Sequence, residues 1–271
     1  MSAPDSFFRS GEIRLRYRDE GTGLPVVFIH GWTFDLDVWD PQTAEIGRSM
    51  RVVRLDRRGF GLSEGTPSIA ADAGDLLALV DHLQIARAAF VGMSQGARVA
   101  LAFALRFPDR VASLVLDGPP GELGNPGSMA DEDFSLEAFR ELVRSGGLAE
   151  FRRQWQDHPL MQLHSGDAGA RQLLTRMLER YPGRDLLGAA PESLPCTDAD
   201  ALARFGKPVL VVNGRLDTKA RLQAGDQLTR LLPLAERGLI ANAGHLPNLD
   251  NPVVYNAIVQ TFARRQSRAA A

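Results

Sequence analysis

Short apolar runs alternate with helical patterns along most of the 271-residue chain, and this alternation constrains the fold more than any other feature. The runs show little alternation of polar and apolar residues, which is typical of strands buried on both faces. Strands that alternate with helices need crossover connections. The pattern therefore predicts an α/β fold, a doubly wound and mostly parallel sheet with helices on both faces. The runs are PVVFIHG, MRVVRLDRRG, AAFVGMS, RVASLVLDGPP and KPVLVVNGRLD.

The alternation stops at DGPPGELGNPGSM and resumes at Lys207. From residue 121 to residue 204 only helical patterns are found. The simplest interpretation is an all-helical cap, inserted after the sixth strand and lying over the C-terminal ends of the strands, where open α/β sheets bind ligands. The sequence thus predicts an α/β core of residues 1–120 and 205–271, with the cap at 121–204.

Composition excludes some classes of partner. The net charge of −2 gives no reason to expect nucleic acid. No window approaches the roughly 20 apolar residues that a membrane span requires, and the N-terminal residues do not resemble a signal peptide. The single cysteine, Cys196, cannot form an internal disulfide, which fits a reducing compartment. We therefore expect a cytoplasmic monomer or homodimer with no membrane contact.

The pattern Gly-x-Ser-x-Gly, typical of a serine-hydrolase nucleophile, occurs twice, around Ser63 and around Ser94. Such a serine lies on a sharp strand-to-helix turn, and its glycines let the strand and helix backbones approach closely. Ser94 follows the apolar run AAFVG and precedes the helical pattern QGARVALAFALRF, whereas Ser63 follows RRGF and precedes a loop. The context predicts Ser94 as the nucleophile and Ser63 as a loop hydroxyl.

A serine nucleophile needs a base and a group that orients the base. His245 lies on a loop in the last strand–helix junction and is the predicted base. His30 ends a strand and directly precedes a glycine, so a turn-supporting role is favoured. For the orienting acid, Asp217 is favoured because it follows a buried run. Asp117 ends the neighbouring strand and could reach the same imidazole.

Acyl transfer also needs donors for the oxyanion that forms in the transition state. The residue after the nucleophile, Gln95, offers one backbone N–H. Trp32, in HGWTF after an earlier strand, offers the second. In the cap, Phe139, Leu142 and Trp155 could line an apolar substrate pocket, although residues at such spacing also pack a cap onto a core.

The motifs IHGW, RLDRRGFGLSEG, VGMSQGARVA, NGRLD and NAGHLPNLDNP occur in this order. With them the chain resembles the serine-hydrolase branch of the α/β-hydrolase fold superfamily, and within it small bacterial carboxylesterases and oxoadipate enol-lactonases. The resemblance covers the chain outside the cap. It implies acyl transfer by the residues named above, with no metal and no cofactor. One departure is Gln95, where many relatives have methionine or another apolar residue.

The resemblance implies a hydrolase of small-molecule esters or lactones that works through an acyl-enzyme on Ser94. Serine at this position argues against haloalkane dehalogenases and epoxide hydrolases, which carry an aspartate there. Three alternatives keep the same triad. They are a cofactor-free perhydrolase resembling haloperoxidases, a C–C bond hydrolase, and a ligand sensor without catalysis.

Overall fold

The computed structural model describes residues 3–121, 134–188 and 198–269, so Cys196 lies outside the described residues. Within them the sheet has eight strands in the order β1-β2-β4-β3-β5-β6-β7-β8. Pairs β1–β2 and β2–β4 are antiparallel, and the remaining pairs are parallel. This confirms the predicted doubly wound and mostly parallel sheet. The strands are β1 Ser6–Ser10, β2 Ile13–Glu20, β3 Pro25–Ile29, β4 Arg51–Leu55, β5 Ala88–Met93, β6 Val111–Asp117, β7 Val209–Gly214 and β8 Ala235–Ile240.

Helices cover both faces of the sheet. The last helix begins after Asn251, whose side chain accepts a hydrogen bond from the N–H of Val254 at 3.3 Å. In the described part of the chain, no helix is long and apolar enough to cross a membrane. The helices are α1 Asp40–Ile46, α2 Ile69–His82, α3 Gln95–Arg106, α4 Leu136–Arg144, α5 Leu148–Gln156, α6 Ala168–Arg180, α7 Arg184–Leu187, α8 Ala199–Ala203, α9 Lys219–Leu231, α10 Pro247–Asp250 and α11 Pro252–Ala269.

The central strands β3 and β5 are apolar throughout because helices cover both faces of the sheet. On β3, Val26 belongs to the apolar cluster that contains Tyr255 of α11. Its neighbour Val27 belongs to the cluster on the other face, which contains Leu79 of α2. Successive side chains of a strand point to opposite faces, so each face of β3 contributes to a separate core. On β3 and β5 no side chain is polar, so the polar groups associated with these strands lie in the loops and turns that follow them.

The residues between β6 and β7 that the structure describes, 134–188 and 198–208, form helices and no strand. This agrees with the predicted helical insertion after the sixth strand, although parts of the predicted range 121–204 lie outside the described residues. The segment docks on the loop after β3. Trp155 donates to the hydroxyl of Thr33 at 3.0 Å, and Arg180 binds both carboxylate oxygens of Asp35 at 2.6 and 2.8 Å.

Candidate active site

The predicted catalytic residues follow the C-terminal ends of parallel strands. Ser94 directly follows β5, and Gln95 begins α3. Trp32 lies in the loop after β3, Asp217 in the loop after β7 and His245 in the loop after β8. Because the C-terminal ends of parallel strands meet at one edge of a sheet, the topology collects these residues there.

Ser94 lies on a strained turn between β5 and α3. Its backbone has φ 50 and ψ −115, a conformation that is rare for any residue other than glycine. The flanking glycines permit the turn, since a Cβ on Gly92 would lie 2.2 Å from the carbonyl oxygen of Gly96, and a Cβ on Gly96 would lie 2.3 Å from that of Ile29. Ser94 and Gln95 are half-buried, whereas the residues on either side are buried. The serine is thus accessible at the end of an otherwise closed core strand.

Ser63, in the second copy of the pattern, has a different environment. It is 2% exposed, and its hydroxyl donates to the carbonyl oxygen of Asp56 at 2.7 Å. The hydroxyl oxygen of Ser63 also accepts a hydrogen bond from the backbone N–H of Arg16 at 2.9 Å. Both functions of the hydroxyl are used within the fold, as the interpretation of Ser63 as a loop hydroxyl requires.

His245 and Asp217 form a buried pair. The Nδ1 atom of His245 lies 3.1 and 3.2 Å from the two carboxylate oxygens of Asp217. Asp217 also accepts from the side-chain amide of Asn213 and from the N–H of Thr218, each at 2.8 Å. Burial alone would raise the pKa of Asp217, but His245 and these two donors lower it below its usual value. The ionised carboxylate accepts a hydrogen bond from the Nδ1–H group of His245. The proton of the neutral ring is therefore on Nδ1, and Nε2 is the basic nitrogen.

Asp117, the alternative orienting acid, is fully buried but makes no hydrogen bond with His245 among the described residues. Burial, reinforced by the charge of Asp217, raises its pKa well above the usual value. A neutral carboxyl group is a poor partner for an imidazolium. The geometry therefore favours Asp217, as the sequence does.

The peptide link between Asp117 and Gly118 joins the two halves of the site. Its carbonyl oxygen accepts the N–H of Ser94 at 2.7 Å. Gly118 has φ +53, and a Cβ there would lie 2.7 Å from Cε1 of His245. The imidazole therefore rests on a residue that must lack a side chain. Sequence analysis missed this role, although a glycine directly after a buried strand is a signal that could have shown it.

The two predicted oxyanion donors lie on adjoining segments. A Cβ on Gly31, the residue before Trp32, would lie 3.5 Å from Cβ of Ser94, so this loop runs against Ser94. Within the described residues, neither the backbone N–H of Trp32 nor that of Gln95 has a hydrogen-bond acceptor. The side chain of Gln95, whose presence departs from many relatives, accepts from Nη1 of Arg57 at 2.7 Å.

Two of the predicted pocket residues lie against Trp32. The Trp155 ring lies 4.7 Å from that of Trp32, centroid to centroid, and the Phe139 ring lies 6.4 Å from it. Leu142 lies where α4 meets α5, and a Cβ on Gly147 would be 2.6 Å from its Cδ1. The structure thus brings Phe139 and Trp155 together beside the site, whereas Leu142 packs within the helical segment. Contact with a substrate stays a prediction for all three.

Asp250 connects the histidine loop to the helical segment. One carboxylate oxygen accepts the N–H of Gly244, the residue before His245, at 2.8 Å. The other accepts the N–H groups of His164 and Ser165, which precede α6, at 2.7 and 2.9 Å. Sequence analysis did not single out Asp250, because its partners are distant in the chain. The carboxylate fixes the loop that carries the predicted base.

The model of the family described as "alpha/beta hydrolase fold" matches residues 25–252. A non-heme chloroperoxidase from Streptomyces lividans is 32% identical over 74% of this chain and 78% of its own length. A 2-hydroxy-6-oxononadienedioate/2-hydroxy-6-oxononatrienedioate hydrolase from Burkholderia vietnamiensis is 28% identical over 94% of this chain and 92% of its own length. The solved structure of a thermophilic esterase from Thermogutta terrifontis is 26% identical and has a TM-score of 0.80. It covers 97% of this chain and 99% of that one.

Proposed function

This chain belongs to the α/β-hydrolase fold family, and on that premise we propose that it cleaves small carboxylic esters or lactones through an acyl-enzyme on Ser94. One observation carries the proposal. Ser94 lies half-buried on a strained strand-to-helix turn, and the Asp117–Gly118 link connects that turn to the buried pair of His245 and Asp217. A nucleophile, a base and an orienting acid are the parts that acyl transfer requires.

Acylation begins when Nε2 of His245 takes the proton of the Ser94 hydroxyl. The serine oxygen then bonds to the substrate carbonyl carbon, and the carbonyl oxygen becomes an oxyanion. Asp217 stabilises the imidazolium through Nδ1, and its lowered pKa keeps it ionised for this role. When the tetrahedral intermediate collapses, the bond to the alcohol oxygen breaks, and the imidazolium gives its proton to that oxygen.

The N–H groups of Trp32 and Gln95 stabilise the oxyanion. They are free of other acceptors among the described residues, so they need no rearrangement before the reaction. In mutagenesis of other enzymes, one such donor contributes about 10²- to 10³-fold in kcat. Backbone donors serve any acyl group, so they do not select the substrate.

Deacylation repeats these steps with water as the nucleophile. His245 removes a proton from water, the hydroxyl oxygen attacks the acyl carbon, and the bond to Ser94 breaks. The imidazolium returns the proton to the serine oxygen. With a lactone substrate the alcohol stays attached to the acyl chain, so the product is a hydroxy acid.

We assign substrate selection to the helical segment of residues 121–204, acting as a cap on a core of residues 1–120 and 205–271. Phe139 and Trp155 present aromatic surface beside Trp32. Such a lining favours substrates with an apolar acyl or alcohol group. The named activities of the relatives, which include an esterase, fit this class of reaction.

A hydrolysis screen tests the proposal. Purified protein and the Ser94→Ala variant are assayed with aryl esters of increasing acyl length and with lactones of increasing ring size. We expect turnover of short-chain members by the wild type only. A fluorophosphonate probe should label the wild type, and mass spectrometry should place the adduct on the peptide that contains Ser94.

Ser63→Ala is the matched control, because it removes the serine from the same sequence pattern. It should keep both turnover and probe labelling. Absence of turnover across the panel, or full activity of Ser94→Ala, would contradict the proposal. Negligible turnover together with tight ligand binding would favour the ligand sensor.

The chloroperoxidase relative gives a specific reason to consider perhydrolysis as a second candidate function. In that reaction hydrogen peroxide replaces water in deacylation, so a carboxylic acid and peroxide give a peracid and water. The same triad and oxyanion donors serve both reactions. Peracid formation from acetate and peroxide, if it depended on Ser94 and were faster than ester hydrolysis, would make this the principal activity.

A further inference from the structure

His30 and Arg57 are buried beside the site but take no part in the chemistry described above. Between them they contact both segments that carry the oxyanion donors. We propose that they are positioning residues, which hold the N–H groups of Trp32 and Gln95 in the geometry that the oxyanion needs. This inference rests on the proposed function, because it concerns the same site.

His30 controls the direction of the Trp32 N–H through one peptide group. Its Nδ1 atom lies 2.8 Å from the carbonyl oxygen of Gly31. That carbonyl and the N–H of Trp32 belong to the same planar trans peptide, in which they point in opposite directions. A hydrogen bond that fixes the carbonyl therefore also fixes the N–H.

Arg57 fixes the tautomer of His30. The backbone N–H of Arg57 lies 3.0 Å from Nε2 of the imidazole. A backbone N–H only donates, so Nε2 accepts and the proton of the neutral ring is on Nδ1, where it can be donated to Gly31. Burial, together with the charge of Arg57, lowers the pKa of His30 to about 3, while the Gly31 hydrogen bond acts in the opposite direction. At neutral pH the ring therefore has one protonation state and one tautomer.

The Arg57 side chain restrains the second donor. Its Nη1 donates to Oε1 of Gln95 at 2.7 Å, and Gln95 is the first residue of α3. Its Nε and Nη2 bind one carboxylate oxygen of Asp72, at 2.9 and 2.8 Å, and both residues of this ion pair are 2% exposed. Arg57 thus holds His30 through its main chain and Gln95 through its guanidinium.

The two donor segments also touch directly. A Cβ on Gly96 would lie 2.6 Å from the carbonyl oxygen of His30, so the start of α3 is packed against the end of β3. Burying an imidazole and an ion pair carries a large desolvation cost, and apolar residues at such sites are often equally or more stabilising. Stability therefore does not explain why His30 and the Arg57–Asp72 ion pair are buried here. Positioning of the two oxyanion donors does.

The test uses two variants, His30→Asn and His30→Leu, whose side chains have the same number of heavy atoms and the same branching. Asn at position 30 keeps an N–H where Nδ1 lies and can still donate to Gly31, whereas Leu cannot. We expect His30→Leu to lower kcat/KM about 50-fold, mainly through kcat, because a misdirected donor loses most of its effect on the oxyanion. His30→Asn should stay within about fivefold of the wild type, since it retains this hydrogen bond.

A trifluoromethyl ketone that matches the best ester separates positioning from a merely structural role. It adds to the nucleophile and forms an oxyanion, whereas the carboxylic acid product does not. In His30→Leu the Ki of the ketone should rise by the same factor by which kcat/KM falls, and the Ki of the acid should stay within about twofold. Equal losses in the Leu and Asn variants, or a loss of affinity for both inhibitors, would overturn the inference.

Two further proteins complete the experiment. Gln95→Leu removes the acceptor of Arg57 at a half-buried position, so it remains informative if His30→Leu does not fold. It should raise the Ki of the ketone about fivefold or more and leave that of the acid unchanged. His82→Leu, at an exposed histidine far from the site, should change the Ki of neither inhibitor.

Full activity of Ser94→Ala would refute the proposed function, whereas an inactive Ser94→Ala beside a fully active His30→Leu would refute only this inference.

Discussion

Ser63 and Ser94 occupy the centre of the same five-residue pattern, and their surroundings differ in every property that bears on reactivity. Ser63 is buried in a loop, and its hydroxyl bonds to Asp56 and to the backbone of Arg16. Ser94 is half-buried with φ 50, and its hydroxyl has no partner among the described residues. A hydroxyl that already satisfies two backbone groups cannot give its proton to a base without breaking the fold around it.

The glycines of the two patterns serve different purposes. Gly61 makes room for the buried carboxylate of Asp56, since a Cβ there would lie 2.1 Å from Oδ2. That carboxylate accepts the N–H groups of Leu36 and Leu62, each at 2.8 Å, and so organises the loop. Gly92 and Gly96 instead bring a strand and a helix together. The first pattern closes a turn, and the second exposes a side chain.

Substitution of the two serines should give the largest difference. We expect Ser94→Ala to lower kcat about 10⁶-fold, as removal of a triad nucleophile does elsewhere. Ser63→Ala should stay within about threefold in kcat/KM but lower the free energy of unfolding by about 1–3 kcal/mol, because it leaves two buried backbone groups unpaired. Ester kinetics and urea unfolding of both variants measure this. A large kinetic loss in Ser63→Ala would end the distinction between the patterns.

Asp217 and Asp117 form a second contrast, because Asp217 is hydrogen-bonded to His245 and Asp117 is not. Asp217→Asn should lower kcat about 10⁴-fold, because an amide at this position favours the wrong histidine tautomer. Asp117→Asn should lower it less than about tenfold, since Asp117 makes no hydrogen bond with His245 among the described residues and its raised pKa favours the neutral form, for which an amide is a close substitute. Steady-state kinetics at neutral pH distinguish them. A larger loss of kcat in Asp117→Asn than in Asp217→Asn would assign the orienting role to Asp117.

A third pair compares glycines with left-handed backbones. Gly118→Ala places a methyl group against the His245 ring and should lower kcat about 100-fold through displacement of the base. Gly61→Ala displaces the Asp56 carboxylate and should lower the free energy of unfolding by about 2 kcal/mol with little change in kcat. Kinetics and thermal unfolding of both proteins test this. A kcat loss in Gly61→Ala would show that its loop shapes the site.

Much of the fold was predictable because apolar runs and helical periodicity are local signals. The position of Ser94 between a strand and a helix was predictable for the same reason, and so was its separation from Ser63. Asp217 was favoured over Asp117 because it follows a buried run. The bonds of Ser63, the hydrogen bonds of Asp217 with His245, and the role of Asp250 depend on contacts between segments that are distant in the chain. No local pattern encodes such contacts. The roles of the cap, the triad and the pocket in catalysis stay predictions until activity is measured.

Two buried groups give the two serine regions opposite responses to pH. Near Ser94, burial and Arg57 hold the pKa of His30 at about 3, against an ordinary value of 6.5. Between about pH 3 and pH 6.5, His30 is therefore protonated in the unfolded chain but neutral in the folded protein. The free energy of unfolding decreases as the pH falls below about 6.5. Under the Ser63 loop, burial and the charge of Asp35 raise the pKa of Asp56 from 3.8 to about 6. Between about pH 4 and pH 6, Asp56 is protonated in the folded protein but ionised in the unfolded chain. The free energy of unfolding therefore decreases as the pH rises through this range.

Single asparagine variants should separate these two contributions, since each removes one titrating group. Between about pH 4.5 and pH 6, the difference in the free energy of unfolding between the wild type and His30→Asn should grow by about 2 kcal/mol. For Asp56→Asn the same difference should shrink by about 1.5 kcal/mol, because the amide resembles the protonated acid that the folded protein prefers. Urea unfolding at both pH values measures the two slopes. A pH-independent difference for His30→Asn would mean that the folded protein binds the proton, and the fixed tautomer that holds the Trp32 N–H would then be lost.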